Sequence, residues 1–140
     1  MANDSTSRRQ ERAQAGQSLT ELPIALVLFI VVAFGIMDAG RLIYAYNAVS
    51  LSAREGVRWA AVRGGASGHA ASQADIQDFV QSKTVGVPVT VNATWLPDGN
   101  NQPGSTVVVT VTTAFAPIAP LPLVPQTINL TSSSRMVISR

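Results

Sequence analysis

Apolar residues run almost without a break from Leu22 to Met37, recur at three- and four-residue steps as far as Arg63, and later alternate singly with polar ones. Each pattern predicts an element. The unbroken run, extended back through Gln17 to Thr20, reaches about 20 residues of helix, the thickness of a bilayer core. Beyond it, Leu42, Ala45, Val49, Ala53, Val57, Ala60 and Ala61 define one face of a continuing helix, with Arg41, Asn47, Ser50, Ser52, Arg54, Glu55 and Arg58 between them. Gly56 is expected to soften this helix, and Gly64-Gly65-Ala66-Ser67-Gly68 ends it. Ala70 to Lys83 predicts a short second helix with Ile76, Phe79 and Val80 inward and Asp75, Gln77, Asp78 and Gln81 facing water.

The period then changes to two. Val87 to Leu96, Ser105 to Phe115 and Thr127 to Ile138 predict three strands, with Val87, Val89, Val91, Ala93 and Trp95 on the inner face of the first. Val107, Val109, Val111 and Phe115 hold that face in the second, and Ile128, Leu130, Met136 and Ile138 in the third. Pro97-Asp98-Gly99-Asn100-Asn101 is turn chemistry, and the four prolines of Ala116 to Pro125 exclude helix and central strand there. The expected fold class is α+β: a long N-terminal helix, a short second helix, and a small three-stranded antiparallel sheet packed on the C-terminal half of the long helix. The expected organisation is a leader (1–16), a hydrophobic-then-amphipathic helix (17–63) and an α/β head (64–140).

Upstream of the apolar run, Met1 to Ala15 is polar and aperiodic, and is expected to be disordered and removed. Arg8, Arg9 and Arg12 place this leader on the cytoplasmic side. No apolar segment with a small-residue cleavage site precedes Gly16, so this is not an ordinary secretory signal. Cleavage at Gly16-Gln17 would keep the hydrophobic helix. Pro23 then falls in its first turns, where a missing N–H matters least. Gly35 and Gly40 suit close helix contact or local bending.

Glu21 stands at the front of the apolar run. With Ser18 three residues earlier it has capping-box spacing, a role the helix dipole favours. A carboxylate in hydrocarbon also needs a partner, and the amino group freed at Gln17 of a neighbouring copy would supply one.

Composition narrows the chemistry. The net charge of +2 on 140 residues gives no nucleic-acid surface. With no cysteine, thiolate chemistry and disulfides are excluded. His69, the only histidine, lies in a Gly/Ala/Ser-rich loop without a paired acid or nucleophile. Gly64 to Gly68 follows a helix and precedes no Lys-Ser/Thr, so it is no phosphate loop. No catalytic set, metal site or cofactor is expected.

The junction Gly16-Gln17-Ser18-Leu19-Thr20-Glu21 ahead of a membrane-length run resembles a class III or type IV prepilin start. Asp38-Ala39-Gly40-Arg41 and Ala53-Arg54-Glu55-Gly56-Val57-Arg58, joined by helix, resemble the TadE-like family of tight-adherence pilus pseudopilins. That resemblance covers Gly16 to Arg63. It implies processing at Gly16 and Gln17 by a prepilin peptidase, methylation of the new N-terminus, and residence in the cytoplasmic membrane as a single pass with its N-terminus inside. It also implies extrusion by an assembly ATPase and platform into an extracellular adhesive pilus, as a homopolymer or with other pilin subunits. The assembly residues it points to are Glu21, Asp38, Arg41, Arg54, Glu55 and Arg58, the last five as ion pairs within the helix or between subunits. Tyr44, Tyr46 and Trp59 suit a core, an interface or an adhesive patch, and Tyr44 and Tyr46 also suit the membrane–water boundary. The rival expectation is an unprocessed single-pass membrane protein with an extracytoplasmic head that binds a ligand or partner.

Overall fold

Arg, Gln, Glu and Ala favour helix, and they dominate the stretch between Thr6 and Gly16. In the computed structural model, which describes residues 4–118 and 126–139, with side chains from residue 21 onward, helix α1 accordingly spans Asp4–Ala61. The backbone is thus helical from Asp4, well ahead of the expected start at Gln17. Ser18 falls inside α1 and does not begin it. Pro23 is likewise interior, a position that membrane helices tolerate when local adjustments satisfy the freed carbonyl. The chain divides into two compact units, Met1–Ala39 and Gly40–Arg140.

In the second unit, α1 from Gly40 onward is followed by α2 (Gln73–Lys83), β1 (Thr90–Leu96), β2 (Thr106–Phe115) and β3 (Ile128–Val137). The strands form one antiparallel sheet in the order β1-β2-β3. Its inner face buries Val107, Val109 and Val111 against Ala45, Val49, Ala53, Val57, Ala60 and Ala61 of α1 and Ile76 and Val80 of α2. The period-two and period-3.6 patterns meet here, and this shared burial decides both. On the outer face, directly opposed hydroxyls bridge strands: Thr110 Oγ1 donates to Ser133 Oγ at 3.1 Å, and Thr112 and Thr131 lie 3.2 Å apart. Register places Met136 opposite Val107 on the inner side, yet it is 40% exposed. Its end of the edge strand lies uncovered, which the alternation of residues does not reveal. Of the Pro-rich connection, 119–125 lies outside the described residues.

Gly56 does not soften α1. It is buried, and a Cβ there would come within 2.7 Å of Val80 Cγ2 and 3.3 Å of Val109 Cγ1. The glycine lets α1 approach α2 and β2 at one point. Helix propensity alone would favour alanine by about 1 kcal/mol. Overpacking against a β-branched, fully buried valine costs about 1–3 kcal/mol. Gly56→Ala is therefore expected to destabilise the head by up to about 2 kcal/mol, read as a lower melting temperature. A raised melting temperature would show that propensity wins.

Asp75 is not simply a solvated helix residue. Ser72 caps α2: its hydroxyl accepts from the Asp75 N–H at 3.2 Å, and Asp75 Oδ2 accepts from the Ser72 N–H at 2.9 Å and from its hydroxyl at 2.7 Å. These bonds, the hydroxyl first, hold the Asp75 carboxyl below its ordinary pKa. Because the folded-state pKa is lowered, the stabilisation is fully present above the ordinary carboxylate range and is lost as pH falls through the folded value. Asp75→Asn should flatten the acid side of the head's stability profile. An unchanged profile would remove the carboxylate from the cap.

The loop after α1 is tied by backbone and amide bonds. Ser139 N–H donates to Ala61 O at 3.0 Å, Ala71 N–H to Arg63 O at 2.8 Å, and Gly65 N–H to Asn101 O. Asn101 Nδ2 donates to Arg63 O at 3.2 Å and Ala71 O at 3.1 Å. Ser139 thus satisfies the last carbonyl of α1, and the turn before β2 satisfies that of Arg63 just beyond it.

Candidate membrane and assembly segment

Large apolar side chains of α1 between Leu22 and Met37 are 38–71% exposed within their own unit. Exposure of a whole apolar turn after turn is unlike a core helix, which hides one stripe. By length and composition this is a helix able to cross a membrane, with an 18-residue stretch of mean hydropathy 2.5 inside Glu21–Ala61. Glu21 is exposed at the front of that run. Gly16 and Gln17 lie in the α1 backbone, and their side chains fall outside the described residues. Gly35 and Gly40 both have open space where a Cβ would project, so nothing described packs on them.

Further along α1, Asp38 is half-buried and Arg41 exposed. The Arg41 guanidinium sits 5.2 Å from the centre of the Phe115 ring, a cation–π contact at the end of β2. Arg54 and Arg58 are exposed on one row of α1, and Glu55 is half-buried. Among the described residues, no ion pair joins Arg54, Glu55 or Arg58 to one another or to any other group. The basic row therefore faces outward beside exposed Leu51 and Val62. Tyr44 is mostly exposed and donates to Val85 O at 3.0 Å.

Two features escaped the sequence analysis. Trp59 and Phe79 stack with ring centres 5.0 Å apart and planes 18° from parallel. Arg63 covers Trp59 at 4.2 Å and Lys83 lies 5.6 Å from Phe79. Each cation is four residues after its aromatic, a spacing visible in the sequence. This stack clamps α1 to α2, which places Trp59 in a tertiary contact. The second feature is a pair of glutamines on α2, of which Gln77 does not face water as expected but turns to the backbone of the first strand. Gln73 Nε2 donates to Val91 O at 2.7 Å, and its Oε1 accepts from Ala93 N–H at 2.7 Å. Gln77 Oε1 accepts from Val91 N–H at 2.7 Å, and its Nε2 donates to Val89 O at 3.1 Å. The two amides bond to the free edge of β1 as another strand would.

Among the described residues there is no group of three or more His, Cys, Asp or Glu placed to hold a metal. His69 is exposed in its loop.

A search of curated proteins finds no match, and neither does a search of solved structures. Residues 16–58 match the family model described as TadE-like protein. The matched stretch begins at Gly16, ends at Arg58 and contains Glu21, Asp38, Arg41, Gly56 and the apolar run, so this part of the chain is similar to the TadE-like family.

Proposed function

We propose that this chain is a pilin-like structural subunit of a tight-adherence pilus. The observation that carries the reading is the start of the family match at Gly16, immediately ahead of Glu21 and the exposed apolar run. The chain sits first in the cytoplasmic membrane, once across, with the arginine-rich leader inside. A prepilin peptidase cuts between Gly16 and Gln17, and an assembly platform and ATPase draw the helix from bilayer to filament. The head then faces outward, where the pilus meets a surface. No catalysis is involved.

The physical logic rests on charge. An apolar helix is content in lipid and in a packed bundle of like helices, so hydrophobicity alone does not set its axial position. A buried carboxylate is far more demanding. Cleavage creates an ammonium at Gln17 that Glu21 of a neighbour can take as partner, and the pair fixes register. Arg54, Glu55 and Arg58, unpaired with any described residue of their own chain, suit contacts between subunits.

Mass measurement of the membrane-extracted protein tests the processing step. A mature N-terminus at Gln17 is expected, methylated or not. An intact Met1 would instead favour an unprocessed membrane protein whose head binds a partner.

A further inference from the structure

The two edges of the sheet are treated differently. The edge of β1 is closed by Gln73 and Gln77, which bond to Val89 O, to both backbone groups of Val91 and to Ala93 N–H. The outer edge of β3 bonds to nothing among the described residues, over the ten residues Ile128–Val137. An open strand of that length is a template for another strand. Arg135 is its only charge, and it has no proline.

The pattern of β3 suits a second copy of itself. Side chains on the core side of both copies stay on one side only if paired positions have the same parity, so a two-fold axis must pass through a residue. Centred on Ser132, the antiparallel pairing sets the exposed Met136 of each copy against the half-buried Ile128 of the other. It also sets Arg135 against Asn129, whose amide oxygen can accept from the guanidinium. Centred on Ser133, Arg135 would instead oppose Thr131, whose hydroxyl already bonds Thr112, and Asn129 would oppose Val137. We infer that β3 pairs edge to edge with β3 of a second copy about Ser132, joining two heads through a six-stranded sheet. This inference rests on the fold of the head and holds whether or not the leader is removed.

The chain has no cysteine, so single cysteines report position without background. Directly opposed residues lie about 4.5–5.5 Å apart at Cα, within disulfide reach. Ser132→Cys in the full chain, in detergent under mild oxidation, should give a disulfide-linked dimer. Ser133→Cys, offset by two residues along the strand and about 8 Å from its mate, should give far less. Asn129→Lys opposes Arg135 twice and should weaken dimerisation about fivefold, while Asn129→Glu should strengthen it. Each variant must first match the parent in melting temperature, which keeps a folding defect from imitating a lost contact. The inference is overturned if Ser132→Cys stays monomeric or links to a different protein. Equal linking at Ser132 and Ser133, or indifference to both charges at 129, would overturn it as well.

Discussion

Glu21→Ala is expected to leave the protein inserted in the membrane and to abolish its incorporation into filaments. The apolar run from Leu22 to Met37 is untouched by the change, and insertion depends on that run. Removing an ionisable residue from a membrane helix makes insertion easier. Assembly behaves oppositely. Without the carboxylate, the ammonium at Gln17 of the neighbouring subunit has no partner in a dry helical core. Truncating one member of such a pair costs about 3–5 kcal/mol, roughly two to nearly four orders of magnitude in the association constant. Glu21→Gln removes the charge but keeps the shape and should fail nearly as completely. Membrane fractionation and the yield of sheared filaments give the two readouts. Normal filament yield from Glu21→Ala would show that the carboxylate only starts the apolar segment and sets no register.

Replacing both Gln73 and Gln77 with alanine is expected to produce the largest loss in the head itself. Each amide makes two bonds to β1, between 2.7 and 3.1 Å. At about 0.5–1.5 kcal/mol for each bond, and with water able to reach the uncovered edge, the double change should cost about 2–4 kcal/mol. A second consequence follows from geometry. With β1 uncovered and β3 already open among the described residues, a head has two pairing edges, and edge-to-edge growth no longer closes. Higher oligomers should appear where the parent stops at a pair. Melting curves measure the first effect and light scattering the second. A double variant as stable and as small as the parent would mean that the glutamines merely occupy the edge without supporting it.

These two outcomes sit on opposite sides of what the sequence discloses. Glu21 stands out in the sequence because what marks it is local: an acid, an apolar run behind it and the Gly16-Gln17 junction before it all lie within one stretch. The strands were legible for the same reason, since a period of two fixes which residues share a face before any partner is known. The helix boundary at Gln17 was misplaced because the leader lacks apolar periodicity, while its composition of Arg, Gln, Glu and Ala supports helix without it. Asp75 was within reach, as Ser72 and Asp75 have capping-box spacing, but acidic residues on an amphipathic helix ordinarily face water. The roles of Gly56, Gln73 and Gln77 lay beyond any local pattern. Gly56 matters only because Val80 and Val109 converge on it. The glutamines act on strand residues 12 to 20 positions away, and nothing in α2 by itself points there. Met136 occupies the inner face as alternation requires and is nevertheless exposed, because burial depends on what lies beyond β3.

The central claim is that this helix leaves the bilayer as a clipped subunit and enters a fibre held by charge between copies. Shearing cells that make the full chain, imaging the released material with a label on the head, and determining the N-terminus of the labelled chain tests it in one preparation. The account predicts label on filaments and a chain beginning at Gln17. Label confined to the cell membrane, on a chain still beginning at Met1, would contradict it.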